Sequence, residues 1–178
     1  MRHGHPGQLR KLAFLAAFAA ASGLATGAAN AEPKKPAKSE DGKYLDADGH
    51  PTYNISEEGK KVDWLTYSGY RRYHAECHTC HGPDGAGSTY APALADSLKT
   101  LTYDKFQETV MGGKQDVNAS ENKVMPAFGG NKNVACYVDD LYVYLKARAD
   151  DAWGRTRPGG HEDKPGAIAE AEKGCLGS

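Results

Sequence analysis

The sequence predicts an all-α fold, three main helices with irregular N- and C-terminal extensions, closed around something more than its own side chains. Three observations carry that expectation. Apolar residues recur at three- and four-residue steps in three separate stretches. No stretch shows a strong period-two alternation of the kind a strand would need. Mean hydropathy is low, −0.66, so a large apolar prosthetic group is expected to complete the interior.

Residues 1–31 read as an export signal. Arg2, Arg10 and Lys11 precede an Ala/Leu/Phe-rich run from Leu12 to about Ala28, and Ala29-Asn30-Ala31 is a small-x-small cleavage pattern, placing the cut after Ala31. An uncleaved anchor competes, but Ser22, Gly23, Thr26 and Gly27 interrupt the run, which falls short of the roughly 20 apolar residues a span needs. Cleavage leaves about 147 residues, the size of one domain, exported to the periplasm with no stable membrane span. The signal carries three of the positive charges and no acidic one, so the net charge moves from −1 to about −4, which excludes the basic surface that nucleic acid requires.

Residues 32–62 form an N-terminal extension rich in Lys, Glu, Asp, Gly and Pro, read as an extended arm. Within it Asp46-Ala-Asp-Gly49 is a turn that would close a small hairpin between Tyr44 and Tyr53; the further ligands of a calcium loop are missing. From Asp63, a candidate N-cap, Trp64, Tyr67, Tyr70 and Tyr73 mark a first helix running into Cys77. A Gly-rich loop, 82–87, leads to Pro92 and a short helical stretch at Leu94–Leu98. Thr102 caps a second helix with Tyr103, Phe106 and Val110 on one face, and Gly112-Gly113 stops it. Residues 113–134 read as polar loop with one apolar island, Val124–Phe128. Val138, Leu141, Tyr142 and Leu145 define a third helix over about Val134–Arg148, closing a domain at 63–150. A tail over 151–178 carries a short helical stretch at Ala167–Lys173 before Cys175.

Four cysteines in an exported chain ordinarily suggest two disulfides. Two of them have a better explanation. Cys77-His78-Thr79-Cys80-His81 is the haem-attachment spacing: two thiols three residues apart at a helix end reach the two vinyl groups on one side of a porphyrin, and the adjacent imidazole meets the iron. A thioredoxin-like reading wants a strand before the motif, where a helix is predicted, and a zinc site wants a second closely spaced Cys/His pair, which Cys136 and Cys175 do not form. The iron's sixth position decides carrier against enzyme. Met125 is the first candidate, in loop, held extended by Pro126 and about 44 residues beyond His81. Met111, at a helix end, reads as core filling. His50, His161 or an open position are the alternatives to Met125. His74 and His78, beside the attachment segment, read as surface or haem-flanking residues.

With these pieces in place, residues 63–150 resemble class I cytochromes c. Gly69-x-x-x-Tyr73-x-x-x-Cys77-x-x-Cys80-His81 is similar to the family's first helix, and Leu141-x-x-Tyr144-Leu145 to the face of the last helix that crosses it. The resemblance implies that Pro92 accepts the His81 Nδ1 proton, that Leu94 lies against the ring, and that Met125-Pro126-x-Phe128 is the distal-ligand loop. The run from Val62 to Cys77, with Tyr90-Ala-Pro92-Ala-Leu94 and Cys136 to Asp150, resembles the methanol-metabolism-related four-cysteine cytochromes c. That resemblance implies one haem c and an electron donor among quinoprotein (PQQ) alcohol dehydrogenases, notably the lanthanide-dependent methanol dehydrogenase. It implies another cytochrome c or a terminal oxidase as acceptor. It also accounts for Cys136 and Cys175, as a disulfide pinning the tail to the third helix.

The expected function is therefore that of an electron carrier, not an enzyme, with His81 and Met125 as metal ligands and Cys77, Cys80, Pro92, Leu94 and Phe128 at the cofactor. The competing reading is a small haem enzyme or gas sensor with a labile sixth ligand. Lys114, Lys123 and Lys132 flank Met125 and suggest a local positive docking rim, or merely scattered solubilising charge.

Overall fold

The computed structural model describes Met1 and residues 35–56, 59–117 and 122–177. The signal expected over residues 1–31 lies, Met1 apart, outside the described residues.

Helix α1 (Trp64–Glu76) begins where the sequence places its cap. The Asp63 carboxylate accepts the Thr66 backbone N–H at 2.9 Å, the Thr66 hydroxyl at 2.5 Å and the Asn54 N–H at 2.8 Å, so one buried side chain both starts the helix and ties it to the arm. A short α2 (His78–His81) and a 3₁₀ turn (Pro83–Gly85) follow, then α3 (Leu94–Ser97). Helix α4 (Tyr103–Gly112) is capped by the Thr102 hydroxyl, as expected. After α5 (Lys132–Ala135) comes α6 (Val138–Ala149), which crosses α1 at Gly69. A Cβ on Gly69 would lie 1.9 Å from the Asp140 carbonyl oxygen, so no side chain fits at the crossing. The tail ends in α7 (Gly166–Leu176).

Two apolar clusters share the α1/α6 pair. One, with Tyr73, Leu98, Phe106, Val110, Leu141 and Leu145, lies toward α3 and α4. The other, with Tyr53, Val62, Leu65, Val143, Trp153 and Ile168, is built from the arm, the tail and the remaining faces of the two helices. The arm supplies a three-stranded antiparallel sheet in the order β1 (Lys38–Glu40), β2 (Lys43–Leu45), β3 (Pro51–Thr52), with the predicted turn between the last two: Asp46 accepts the N–H groups of Asp48 and His50. The tail is pinned by a Cys136–Cys175 disulfide, with Cα atoms 5.8 Å apart.

Three details depart from the sequence reading. Part of the polar loop is an antiparallel hairpin, β4 (Lys114–Val117) with β5 (Asn122–Met125), Lys114 opposite Met125. The third helix is broken: Tyr137, at φ −132°, separates α5 from α6. Met111 does not fill the core but is exposed at the end of α4. Among the described residues no helix is long and apolar enough to cross a membrane.

Candidate functional site

The first apolar cluster does not close on itself. It leaves a cavity with Leu141 and Leu145 of α6, Phe106 and Val110 of α4, and Leu94 and Leu101 along its walls. Cys77 and His81 open onto it from α1 and α2, and Met125, Phe128 and Val134 from the hairpin and α5. Of the residues that the sequence assigned to the site, Cys77, His81, Leu94, Met125 and Phe128 line this cavity, whereas Cys80 and Pro92 are not among its lining residues.

The imidazole of His81 is buried, and its Nδ1 lies 3.0 Å from the Pro92 carbonyl oxygen. A carbonyl only accepts, so Nδ1 carries the proton and Nε2 keeps its lone pair for a metal. Backbone and side-chain ties hold the segment in place. The Gly87 N–H bonds to the His81 carbonyl at 2.7 Å, and the Ser88 hydroxyl donates to the Cys80 carbonyl. Tyr73, fully buried in α1, donates its hydroxyl to the Gly82 carbonyl at 2.5 Å and accepts the Gly85 N–H at 3.0 Å. Burial pushes the Tyr73 phenol up to about 12, so it remains a donor throughout the neutral range. Asp84, at φ +55°, fixes the same turn: its carboxylate accepts Tyr144 Oη at 3.3 Å and meets His74 Nε2 at 3.3 Å, and its carbonyl accepts Arg148 Nε at 3.2 Å. This polar frame was not read from the sequence; the adjacent Tyr73-His74 pair was its one visible trace.

Cys77 and Cys80 are outside the disulfide, Cys77 half-buried and Cys80 exposed. Burial, reinforced by Glu76 and Cys80, pushes the Cys77 thiol up to about 12.

On the facing side, Met125 ends β5. The bend back toward α4 is made at Gly113, whose φ of +76° and lack of a side chain let the Met125–Ala127 backbone approach. Phe128 N–H then bonds to the Val110 carbonyl at 3.0 Å, and Asn131 Nδ2 to Glu76 Oε2 at 3.3 Å. The other candidate ligands lie elsewhere. His50 packs on Tyr103 at the arm turn, and His161 stacks on Tyr67, ring centroids 3.8 Å apart. His74 is bound to Tyr70 and Asp84, and His78 to the His74 carbonyl.

Residues 66–145 match the family described as cytochrome C oxidase, cbb3-type, subunit III. Cytochrome c-555 of Methylococcus capsulatus (strain ATCC 33009 / NCIMB 11132 / Bath) is 43% identical over 105 residues, 58% of this chain and 76% of the relative. The chain belongs to the class I c-type cytochromes. Cytochrome c-553I of Paracoccus denitrificans is 53% identical over 147 residues, 83% of this chain; the match spans 65% of that relative's length. The crystal structure of the c-type cytochrome XoxG from Methylobacterium extorquens AM1 superposes with a TM-score of 0.75 at 68% identity, covering 79% of this chain and 86% of that one. As a c-type cytochrome the protein holds haem c covalently, and Cys77 and Cys80 have the spacing for it. An apolar cavity lined by Cys77, with Cys80 three residues on, and a pre-oriented imidazole fit that group.

Of the suggested lysine rim, Lys114 and Lys132 are described, and the Lys123 side chain lies outside the described ones. Lys114 is matched by Asp116 at 3.5 Å, and Lys132 donates to the Leu176 carbonyl at 2.7 Å.

Proposed function

We propose that this cytochrome works in the periplasm, released there by cleavage after Ala31. It would take single electrons from a quinoprotein methanol dehydrogenase of the lanthanide-dependent type and pass them to another cytochrome c or a terminal oxidase. One observation carries the partner assignment: the 68% identity to XoxG extends over 79% of the chain, more than the haem-bearing segment 63–150 alone.

In this reading Cys77 and Cys80 would hold the haem covalently, His81 and Met125 would ligate its iron, and Leu94 and Phe128 would lie against it. The bound haem supplies a one-electron change at iron. The chain supplies the conditions for it. Pro92 fixes the His81 ring and raises its basicity, β4–β5 pairing and Gly113 hold Met125, and the apolar walls exclude water, so little rearranges when the charge changes. Met as the second ligand raises the potential relative to a second His. Cys80, Pro92 and Ala127 are exposed, which supports electron entry on this side.

Stopped-flow reduction of the haem-loaded protein by purified lanthanide-loaded and calcium-loaded methanol dehydrogenases tests the partner. Rapid second-order reduction by the lanthanide enzyme is expected; no reduction by either overturns the assignment. A near-infrared Met-to-iron band in the oxidised protein, lost in Met125→Ala, tests the ligand. Ready carbon monoxide binding by the reduced wild type would instead favour an open sixth site.

A further inference from the structure

A second cavity, of about 280 Å³, lies between α1, the start of α6 and the tail, and shares no residue with the haem cavity. We propose that it binds a small oxyanion, a carboxylate or a phosphate, held by the guanidinium groups of Arg71 and Arg72.

Both arginines line the cavity, and among the described residues neither is in an ion pair. Their recorded contacts are with rings: Arg72 lies 3.5 Å from the centroid of Tyr137, and Arg71 6.0 Å from that of Tyr67. A guanidinium resting its face on an aromatic ring keeps its in-plane N–H edge for a bidentate acceptor, the geometry carboxylates and phosphates match. Lys164 adds a third cation, but Glu172 neutralises it. Glu172 also accepts the Tyr137 hydroxyl at 3.3 Å. The walls therefore carry two guanidinium groups outside any ion pair among the described residues, with the buried Asp140 carboxyl as the acidic group that Arg72 faces.

The hydrogen bonding of this region is incomplete as well. Three buried side-chain polar atoms lack a partner among the described residues: Trp64 Nε1, Glu172 Oε1 and Asp140 Oδ2. Two belong to the cavity walls, and the third to Asp140, which interacts with Ser68 of the wall. Burial pushes the Asp140 carboxyl up to about 7, so much of it is neutral at neutral pH and opposes an anion little. Buried polar groups are seldom left unpaired without an unseen partner. Water could satisfy these atoms, at about 30 Å³ per molecule, but it would leave both guanidinium groups outside an ion pair.

The test is calorimetric titration of the oxidised, haem-loaded protein with sodium phosphate and, separately, sodium acetate, using chloride at matched ionic strength as control. Saturable one-to-one binding is expected from at least one of the two, and which one identifies the acceptor. Arg72→Gln should weaken it by at least about tenfold. Arg72→Lys, which keeps the charge but loses the fork, should fall between Arg72→Gln and wild type. The visible spectrum and melting temperature of each variant confirm that the fold is intact. Failure to saturate below about 10 mM of either anion, or equal binding by wild type and Arg72→Gln, would overturn the proposal.

Discussion

Replacing Gly113 with alanine tests how Met125 is held. Gly113 sits at φ +76°, ψ 178°, a region essentially closed to residues with a side chain, and occupying it costs on the order of 1–3 kcal/mol. The new Cβ would also lie 2.7 Å from the Met125 carbonyl oxygen, 2.8 Å from Ala127 N and 3.0 Å from Pro126 C. All three are backbone atoms, which cannot swing aside as a side-chain tip would. Ordinary contact begins near 3.4 Å, so the strand end must retreat by roughly 0.7 Å, with its partners Lys114 and Val110 anchoring it against that shift. In the proposed ligation of iron by Met125, about 2 kcal/mol of this falling on that bond raises the detached fraction roughly thirtyfold. The readouts are the near-infrared band of the oxidised protein and carbon monoxide binding by the reduced one, with Met125→Ala marking complete loss. Gly112→Ala is the control, since its Cβ would meet nothing within 4 Å. A Gly113→Ala protein with the wild-type band and wild-type resistance to carbon monoxide would refute the reasoning.

The disulfide closes a loop of sequence separation 39, so the Cys136→Ser, Cys175→Ser protein should lose about 4 kcal/mol on the chain-entropy account; a thermal melt within about 2 °C of wild type would contradict it. Asp140 gives a pH dependence whose sign is fixed. Its folded value, raised by burial to about 7, exceeds the unfolded 3.8, so the folded state binds the extra proton between these values and stability falls as pH rises through that window. The charge that appears is faced by Asp139 and Glu172, with Arg72 and Ser68 in opposition. Asp140→Asn should flatten this slope and gain on wild type at pH 8, as chemical denaturation at pH 5 and pH 8 will show; parallel profiles would remove Asp140 as its source. Because Lys114 is matched by Asp116, electron uptake from the proposed dehydrogenase should change less than about threefold between low salt and 0.5 M. A steep fall would restore the lysine rim.

What the sequence revealed and what it concealed follow one physical rule. Caps and attachment chemistry are local, so Asp63, Thr102 and Cys77–His81 could be read from spacing alone. The β4–β5 hairpin could not: Lys114, Gln115, Asp116 and Val124 are all exposed, so no alternation is written there. Tyr73 looked like core because its partners, the Gly82 carbonyl and Gly85 N–H, are backbone groups whose positions depend on the unusual φ of Asp84. The second cavity was hidden for a different reason. Arg71 and Arg72 look like an ordinary helix surface until Tyr137, Lys164 and Glu172 arrive from distant parts of the chain.

The extensions have a structural burden that their composition conceals. Helix α6 is buried on nearly every side, from Val138 and Asp140 through Val143 and Tyr144 to Arg148 and Ala149. A helix buried all round needs cover on each face. The haem side covers Leu141 and Leu145; Val143 and Ala147 are covered by Tyr53 and Val62 of the arm and by Trp153 and Ile168 of the tail. The disulfide then links this second cluster to the distal wall, because Cys136 follows Val134 of the haem cavity and Asn131, which is tied to Glu76. Trimming either extension would therefore uncover α6 and loosen the Met125 side together, and a lost partner rate in a trimmed protein would not report docking. Partner recognition by the arms has to be probed with substitutions at their exposed positions, such as Lys38, Glu40 or Arg157, which leave Tyr53, Val62, Trp153 and Ile168 in place.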